Sequence, residues 1–342
     1  MSTRIAAIEY TLPSELLGNE TLAALSDRWT PGRIRAKTGI DTRCIAPQGK
    51  SSADLAVEAA TKLFESSVVS PDDVDFILLC TQTPEYFLPT TACLLQERLG
   101  IPTTAGALDF NLGCSGFIYG LGLAHGLIES GQAGNVLLLT AETYTRFIGD
   151  QDLNVRTIFG DAAAATLVQA SDPADANCGE IGPFVYGTDG RGAENLIVRQ
   201  GAFRAVADAS DATEDTADSG PPRLFMDGPE IFVFTLTAVP QLVETILTRT
   251  GLSLDEIDRF VFHQANGHML EHLRSKLDIP PEKFVVEMSD CGNTVSSTIP
   301  IALKRATESG QIQPGQRLLL VGFGVGYSWG ATVVRWNPAV IE

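Results

Sequence analysis

Compact apolar runs alternate along the chain with longer stretches in which apolar and small residues recur at helical spacing. The runs DFILLC (75–80), NVLLLTAE (135–142), AAAATLVQA (162–170), RFVFHQ (259–264), RLLLVGF (317–323) and ATVVRW (331–336) are dominated by branched aliphatic, leucine and alanine residues. Runs of this length bounded by turn residues predict strands buried on both faces. Between them, DLAVEAATKLFESS (54–67) and EIFVFTLTAVPQLVETILTRTG (230–251) predict helices. Such alternation predicts an α/β layered architecture.

The pattern also repeats. SPDDVDFILLC followed by QERLGIP matches SLDEIDRFVFH followed by RSKLDIP, and IESGQAGNVLLLTAE matches TESGQIQPGQRLLLVGF. The register agrees: Asp75 to Cys80 and Asp258 to His263 are both five residues, and Cys114 to Ser130 and Asn293 to Ser309 are both sixteen. Cys80 and His263 therefore hold equivalent places at a strand end, and Cys114 and Asn293 equivalent places at a helix start. The repeat predicts a duplicated chain, with one half over 1–175 and the other over 176–342.

Composition narrows the picture. The 342 residues are 44% hydrophobic and 19% charged, enough apolar material for a two-part core and too much for a disordered chain. With 42 acidic against 24 basic side chains the net charge is −18, which argues against nucleic acid and anionic membranes as partners. No run reads as the roughly 18 apolar residues of a spanning helix. Glu9 interrupts the start where a signal peptide is apolar, so a cytoplasmic location is expected. Six cysteines without CxxC spacing predict reduced thiols, not a zinc ribbon. The acidic, proline-ended stretch 203–222 has no apolar period and predicts a solvated surface loop.

Cys114 has the most informative setting, in LDFNLGCSGFIYGLGLAHGLIESG. A strand enters a Gly-Cys-Ser-Gly turn that opens a helix, where unpaired N–H groups and the helix dipole favour thiolate over thiol. Cys80 and Cys93 read instead as small hydrophobes in a strand and a helix. His263 ends an apolar strand and opens HQAN, while Asn293 in SDCGNTVSSTIP offers an amide donor at the repeat's equivalent of Cys114. A Cys, His, Asn order also occurs in papain-like thiol proteases, which keeps hydrolysis open beside acyl transfer. His268 and His272, four apart on a helix, are a metal pair without a third ligand, and His125 reads as structural. The glycines of GFGVGYSWG (322–330) are followed by a strand, not a helix, so a dinucleotide site fails its context; a turn presenting N–H groups to an oxyanion fits.

These residues resemble β-ketoacyl-acyl carrier protein synthase III, the initiating condensing enzymes of thiolase fold. The resemblance runs from KTGIDTR (37–43) through GCSGF, FGDAAAA (159–165), MDGPEIF (226–232), HQAN, GNT and GFGVGYSWG. It implies a homodimer in which each chain has two βαβαβαββ halves in a five-layered α/β/α/β/α core. It implies Cys114 as the acylated nucleophile, His263 and Asn293 for decarboxylative condensation, and the N–H groups of Cys114 and Val325 as the oxyanion hole. It further implies acyl-CoA and an acyl carrier protein as substrate and partner, with no cofactor. Trp29, Lys37, Thr38, Gly228, Phe232 and Asn266 fall at the CoA-binding positions, and Phe87 and Leu88 at the acyl-pocket gate. Lys37 stands where the family has arginine, Leu88 where a phenylalanine is usual, Val325 for a glycine, and His268 for an arginine of the carrier-protein patch. Arg146, Arg156, Arg274 and Lys276 are alternative basic residues for that patch. Two other readings share these residues: acyl transfer to an oxygen or nitrogen acceptor with His263 as base, and a non-catalytic partner subunit of a heterodimeric synthase.

Overall fold

The computed structural model describes residues 2–171, 179–203 and 222–339. The acidic loop 203–222 lies, but for its two end residues, outside them. Two sheets organise the chain. The first takes its five strands in the order Ser2–Thr11, Ala162–Ser171, Asn135–Glu142, Phe76–Cys80, Gly106–Phe110. The second takes four in the order Glu180–Thr188, Ser328–Arg335, Arg317–Gly324, Arg259–Phe262. All strands of the first precede residue 172, and all strands of the second follow residue 179.

The pairing matches strand for strand. Phe76–Cys80 runs parallel to Asn135–Glu142, as Arg259–Phe262 runs parallel to Arg317–Gly324, and each is followed by an antiparallel neighbour. The counterpart of Gly106–Phe110 shrinks to a single parallel bridge, Phe260 to Phe284, with the Val285 N–H donating to the Phe260 carbonyl at 3.0 Å.

Alternation along the central strands divides the interior into layers. On Asn135–Glu142, Val136 and Leu138 face one cluster, and Leu137, Leu139 and Ala141 the other. On Arg317–Gly324, Leu318 and Leu320 face the same inner cluster, and Leu319, Val321 and Phe323 face outward. The inner cluster holds Phe117, Ile118, Leu121, Ala124 and Ile128 of the helix Gly116–Glu129 with Ile299, Ala302, Leu303 and Ala306 of the helix Thr298–Glu308. Outer helices cover the far faces: Ser52–Glu65 and Thr91–Arg98 on the first sheet, Gly228–Thr250 and Gly267–Lys276 on the second. This is the expected five-layered α/β/α/β/α fold.

Two differences from the sequence reading have physical causes. Ser2–Thr11 and Glu180–Thr188 were invisible as strands because each is a sheet edge with interrupted apolar pattern; the second carries Gly182 and Pro183 beside a register shift. Gly228–Thr250, contrary to the expectation of no such run, has the length and mean hydropathy (1.6) of a spanning helix. Its Val239, Leu242, Val243 and Ile246 nevertheless form a layer against the second sheet.

Leu121 sits fully buried between the sheets. Leu121→Ala is expected to cost about 3 kcal/mol in denaturant unfolding, transfer and cavity terms together. A loss below about 1 kcal/mol would contradict the sandwiched position of this helix.

Candidate active site

Cys114 lies on the turn between Gly106–Phe110 and Gly116–Glu129, and is only 7% exposed. The hairpin that begins with Arg317–Gly324 lies directly against it: a Cβ at Gly324 would stand 2.7 Å from the Cys114 Cβ and 3.0 Å from its Sγ. Glycine is required here for close approach, not for an unusual backbone angle. The N–H groups of Cys114 and Val325 bear on the sulfur and lower its pKa, as an oxyanion hole built around it would. Burial, aided by the nearby Glu142 carboxyl, outweighs them and pushes the thiol up to about 12. At rest Cys114 is therefore a thiol. The expectation of a thiolate gave the helix start its due but not the desolvation. Glu142 itself is buried, accepts from the Gln82 N–H (2.9 Å) and the Thr83 hydroxyl (3.0 Å), and is pushed up to about 8 by burial.

His263 closes its strand with its N–H donating to the Val321 carbonyl at 2.8 Å. Its ring is buried, and that burial lowers its pKa to about 3, so the imidazole is neutral. Nδ1 lies 2.8 Å from the Thr298 hydroxyl, which also reaches the Val295 carbonyl at 3.0 Å. Asn293 is fixed on both sides: its N–H donates to Ile158 O (2.9 Å), and its carbonyl accepts from the Gly160 N–H (3.0 Å). Its Oδ1 accepts from the Val295 N–H at 2.9 Å, which turns Nδ2 toward His263 Nε2 (3.4 Å) and Ala265 O (3.3 Å). Two neutral nitrogens from separate loops thus converge.

A cavity of about 640 Å³ joins these groups, with Cys114, His263 and Asn293 all in its wall. Trp29, Lys37, Thr38, Gly228, Phe232 and Asn266 line it too. Arg33 and Lys37 each stand 5.3 Å from the Trp29 ring centroid. The Thr38 hydroxyl is engaged within the fold, donating to Ile34 O (2.8 Å) and accepting from the Ile40 N–H (3.1 Å). Asn266 Oδ1 caps the helix Gly267–Lys276 through the Met269 N–H at 2.9 Å. Phe232 stacks on His268 with ring centroids 5.8 Å apart.

Phe87 and Leu88 lie elsewhere, 69% and 86% exposed and away from this cavity, with Phe87 beside Phe203. His268 and His272 are neighbours, the His272 Nδ1 lying 2.8 Å from the His268 carbonyl, and no cluster of three metal-ligating residues occurs among the described residues. His125 is packed against Phe184. Sequence reasoning missed Thr298, five residues beyond Asn293 in the same GNT run, and Phe159, whose bridge to Asn293 pairs two segments with no shared motif. It also missed Gln264, whose amide holds Phe262 O (2.6 Å) and accepts from the Glu287 N–H (2.8 Å), stiffening HQAN.

Residues 108–190 match the family described as 3-oxoacyl-[acyl-carrier-protein (ACP)] synthase III, and residues 247–336 match its C-terminal model. The chain is 38% identical over 333 residues to the β-ketoacyl-[acyl-carrier-protein] synthase III 3 of Streptomyces coelicolor, covering 96% of this chain and 95% of that protein. It is similar to a solved 3-oxoacyl-(acyl-carrier-protein) synthase III at 51% identity and TM-score 0.93, covering 98% and 100% of the two chains. The priming β-ketosynthase of the R1128 polyketide pathway is 29% identical at TM-score 0.87, covering 98% and 97%.

The neutral His263 ring has a consequence for stability. Its pKa falls from 6.5 to about 3 on folding, so between these values the unfolded chain binds the extra proton. The stability held by the neutral ring is present above pH 6.5 and lost as pH falls toward about 3. Between pH 6.5 and about 5, wild type should lose about 1.5 kcal/mol more than His263→Gln in urea unfolding. Equal losses would mean the folded ring titrates normally.

Proposed function

The chain belongs to the β-ketoacyl-acyl carrier protein synthase III family, and from that premise we propose the following roles for its residues. The observation that carries them is the convergence of Cys114, His263 and Asn293 on one cavity. The enzyme is an acyltransferase that takes an acyl group from acyl-CoA onto Cys114 and condenses it with malonyl-acyl carrier protein.

In the first half-reaction the Cys114 sulfur bonds the acyl carbon, the bond from that carbon to the CoA sulfur breaks, and the thiol proton leaves on the CoA sulfur. Thioester is exchanged for thioester, so the acyl group remains activated. The N–H groups of Cys114 and Val325 hold the oxyanion of the intermediate. In the second, carbon dioxide leaves the malonyl group, and its electron pair passes to the α-carbon and thioester oxygen. His263 and Asn293 donate to that oxygen. For Nε2 to carry its proton, Nδ1 must accept, so the Thr298 hydroxyl has to turn its one proton from the Val295 carbonyl (3.0 Å) to Nδ1 (2.8 Å). The α-carbon then bonds the acyl carbon, the Cys114–acyl bond breaks, and the sulfur takes up one proton. The burial that raises the thiol pKa favours this last step. Neutral donors serve here, because a charged partner would hold the malonyl carboxylate and oppose its loss.

Trp29 with Arg33 and Lys37 forms a cationic aromatic rim for the CoA nucleotide, beside Thr38, Gly228, Phe232 and Asn266. Arg28, Arg33, Arg35 and Lys37 stand close in sequence to Trp29, and Arg33 and Lys37 lie by its ring, a basic stretch in a chain of net charge −18 that suits an acidic carrier protein. Arg35 is paired with Asp41, and Arg146, Arg156 and Arg274 are likewise spent within the fold on backbone carbonyls or carboxylates. Phe87 and Leu88, with Tyr86, form an exposed apolar projection suited to a second copy's acyl pocket, which supports a homodimer. The separate sheets support two duplicated halves, 1–175 and 176–342.

Intact-mass spectrometry after acyl-CoA incubation should show an acyl adduct on wild type and none on Cys114→Ala. His263→Ala should keep the adduct yet lose condensation with malonyl-carrier protein by at least about 100-fold. An acylated Cys114→Ala protein, or a fully condensing His263→Ala, would contradict the assignment.

A further inference from the structure

Beside the nucleophile, Ser115 is wholly buried and begins the helix Gly116–Glu129, yet its hydroxyl makes no capping bond to that helix. Its Oγ lies instead 2.5 Å from Ser328 Oγ, across 213 positions and between the two halves. Ser328 is buried as well, and its hydroxyl donates to the Val325 carbonyl at 3.0 Å. A hydroxyl has one proton, so with Ser328 donating to Val325, Ser115 is the donor within the pair. The chain of bonds therefore runs one way, from the residue after Cys114 to the residue whose N–H bears on the Cys114 sulfur.

The surroundings leave this link a distinct task. Gly322 and Gly324 bring the hairpin against the nucleophile turn with bare backbone; a Cβ at Gly322 would meet the Ser115 Cα at 2.9 Å. The side chains keyed across this contact, Val325 against Gly113 and Ile118 against Gly322 and Gly330, are apolar and set no hydrogen-bonding geometry. The far side of the loop is held elsewhere: Asp189 and Tyr327 exchange backbone bonds of 2.8 and 3.0 Å, and Asn195 donates to the Tyr327 hydroxyl at 2.7 Å. Among the described residues, apart from the Val325 N–H at the sulfur itself, no other hydrogen bond joins 113–116 to 324–328.

We propose that Ser115 and Ser328 are positioning residues that set the spacing between the two oxyanion N–H donors, that of Cys114 and that of Val325. This rests on the acyl-transfer reading given above. The pair touches no reacting atom; it fixes the hole into which the developing oxyanion must fit, where small displacements are costly.

The test compares two reactions of the same sulfur in the full-length protein. Acylation by acyl-CoA develops an oxyanion, whereas alkylation by iodoacetamide does not. Ser115→Ala should slow acylation about tenfold at saturating acyl-CoA, with KM nearly unchanged and alkylation at the wild-type rate. Ser328→Ala, which also frees the Val325 carbonyl, should slow acylation further, and the double variant should be no slower than Ser328→Ala alone. Ser328→Thr, which retains the hydroxyl, should restore most of the rate. Wild-type acylation speed in Ser115→Ala would overturn this inference alone, as would parallel losses of acylation and alkylation, which would show mere distortion around the sulfur. A wild-type protein that takes no acyl group would overturn the acyl-transfer reading and this inference with it.

Discussion

Two helices packed between the sheets fix everything else in this molecule. Gly116–Glu129 and Thr298–Glu308 each bury most of their apolar residues in the one inner cluster. Neither can shift without opening the core to voids, whose cost rises with cavity volume. The loops that precede these helices carry Cys114 and Asn293, so the rigidity of the sandwich becomes the rigidity of the site. Direct bonds between the halves add to it: Ser297 shares its hydroxyl with Thr140 at 3.0 Å and donates to the Thr140 carbonyl at 3.0 Å.

Burial then decides the charge state of the site. It raises the Cys114 thiol to about 12, lowers His263 to about 3 and raises Glu142 to about 8. The three shifts have one leading cause and one outcome: Cys114, His263 and the Glu142 carboxyl near Cys114 are largely uncharged near neutral pH. Such surroundings suit the proposed chemistry, in which the substrate brings its own charge and sheds it as carbon dioxide. In the proposed reaction the fixed groups that meet the reacting atoms are dipoles, the N–H groups of Cys114 and Val325 and the side chains of His263 and Asn293, and they need no reorganisation at the moment of reaction.

Much of this was legible in the sequence, for reasons visible in particular residues. Phe76–Cys80, Asn135–Glu142 and Arg317–Gly324 are central strands with both faces buried, so their composition alone announces them. The edge strands Ser2–Thr11 and Glu180–Thr188 face partners on one side only and carry no such run. Cys114 was singled out by its turn before a helix, and the repeat register set Asn293 at its equivalent and His263 opposite Cys80; the structure lines one cavity with Cys114, His263 and Asn293. Thr298 and Ser328 were not singled out, because a hydroxyl's role depends on which atom lies within hydrogen-bond reach, and threonine and serine are common. The thiolate expectation failed for a related reason: helix polarity is local and readable, whereas desolvation is set by chain segments far apart. Phe87 and Leu88 lie outside the cavity of their own chain.

The acidic balance, 42 acidic against 24 basic side chains, finds its local exception at residues 28–37, where four basic residues surround Trp29 with no acid among them. Arg35 there pairs with Asp41, which leaves Arg33 and Lys37 by the Trp29 ring as the basic side of the mouth proposed to meet an acidic carrier. The central claim is that acyl-Cys114 is consumed by a carbanion generated through decarboxylation between His263 and Asn293. It is tested most directly by mixing preformed acyl-enzyme with carboxyl-labelled malonyl-carrier protein in a single turnover and measuring both products. The account predicts one released carbon dioxide for each 3-oxoacyl thioester formed and each acyl group lost from Cys114. Loss of the acyl group without release of labelled carbon dioxide would contradict it.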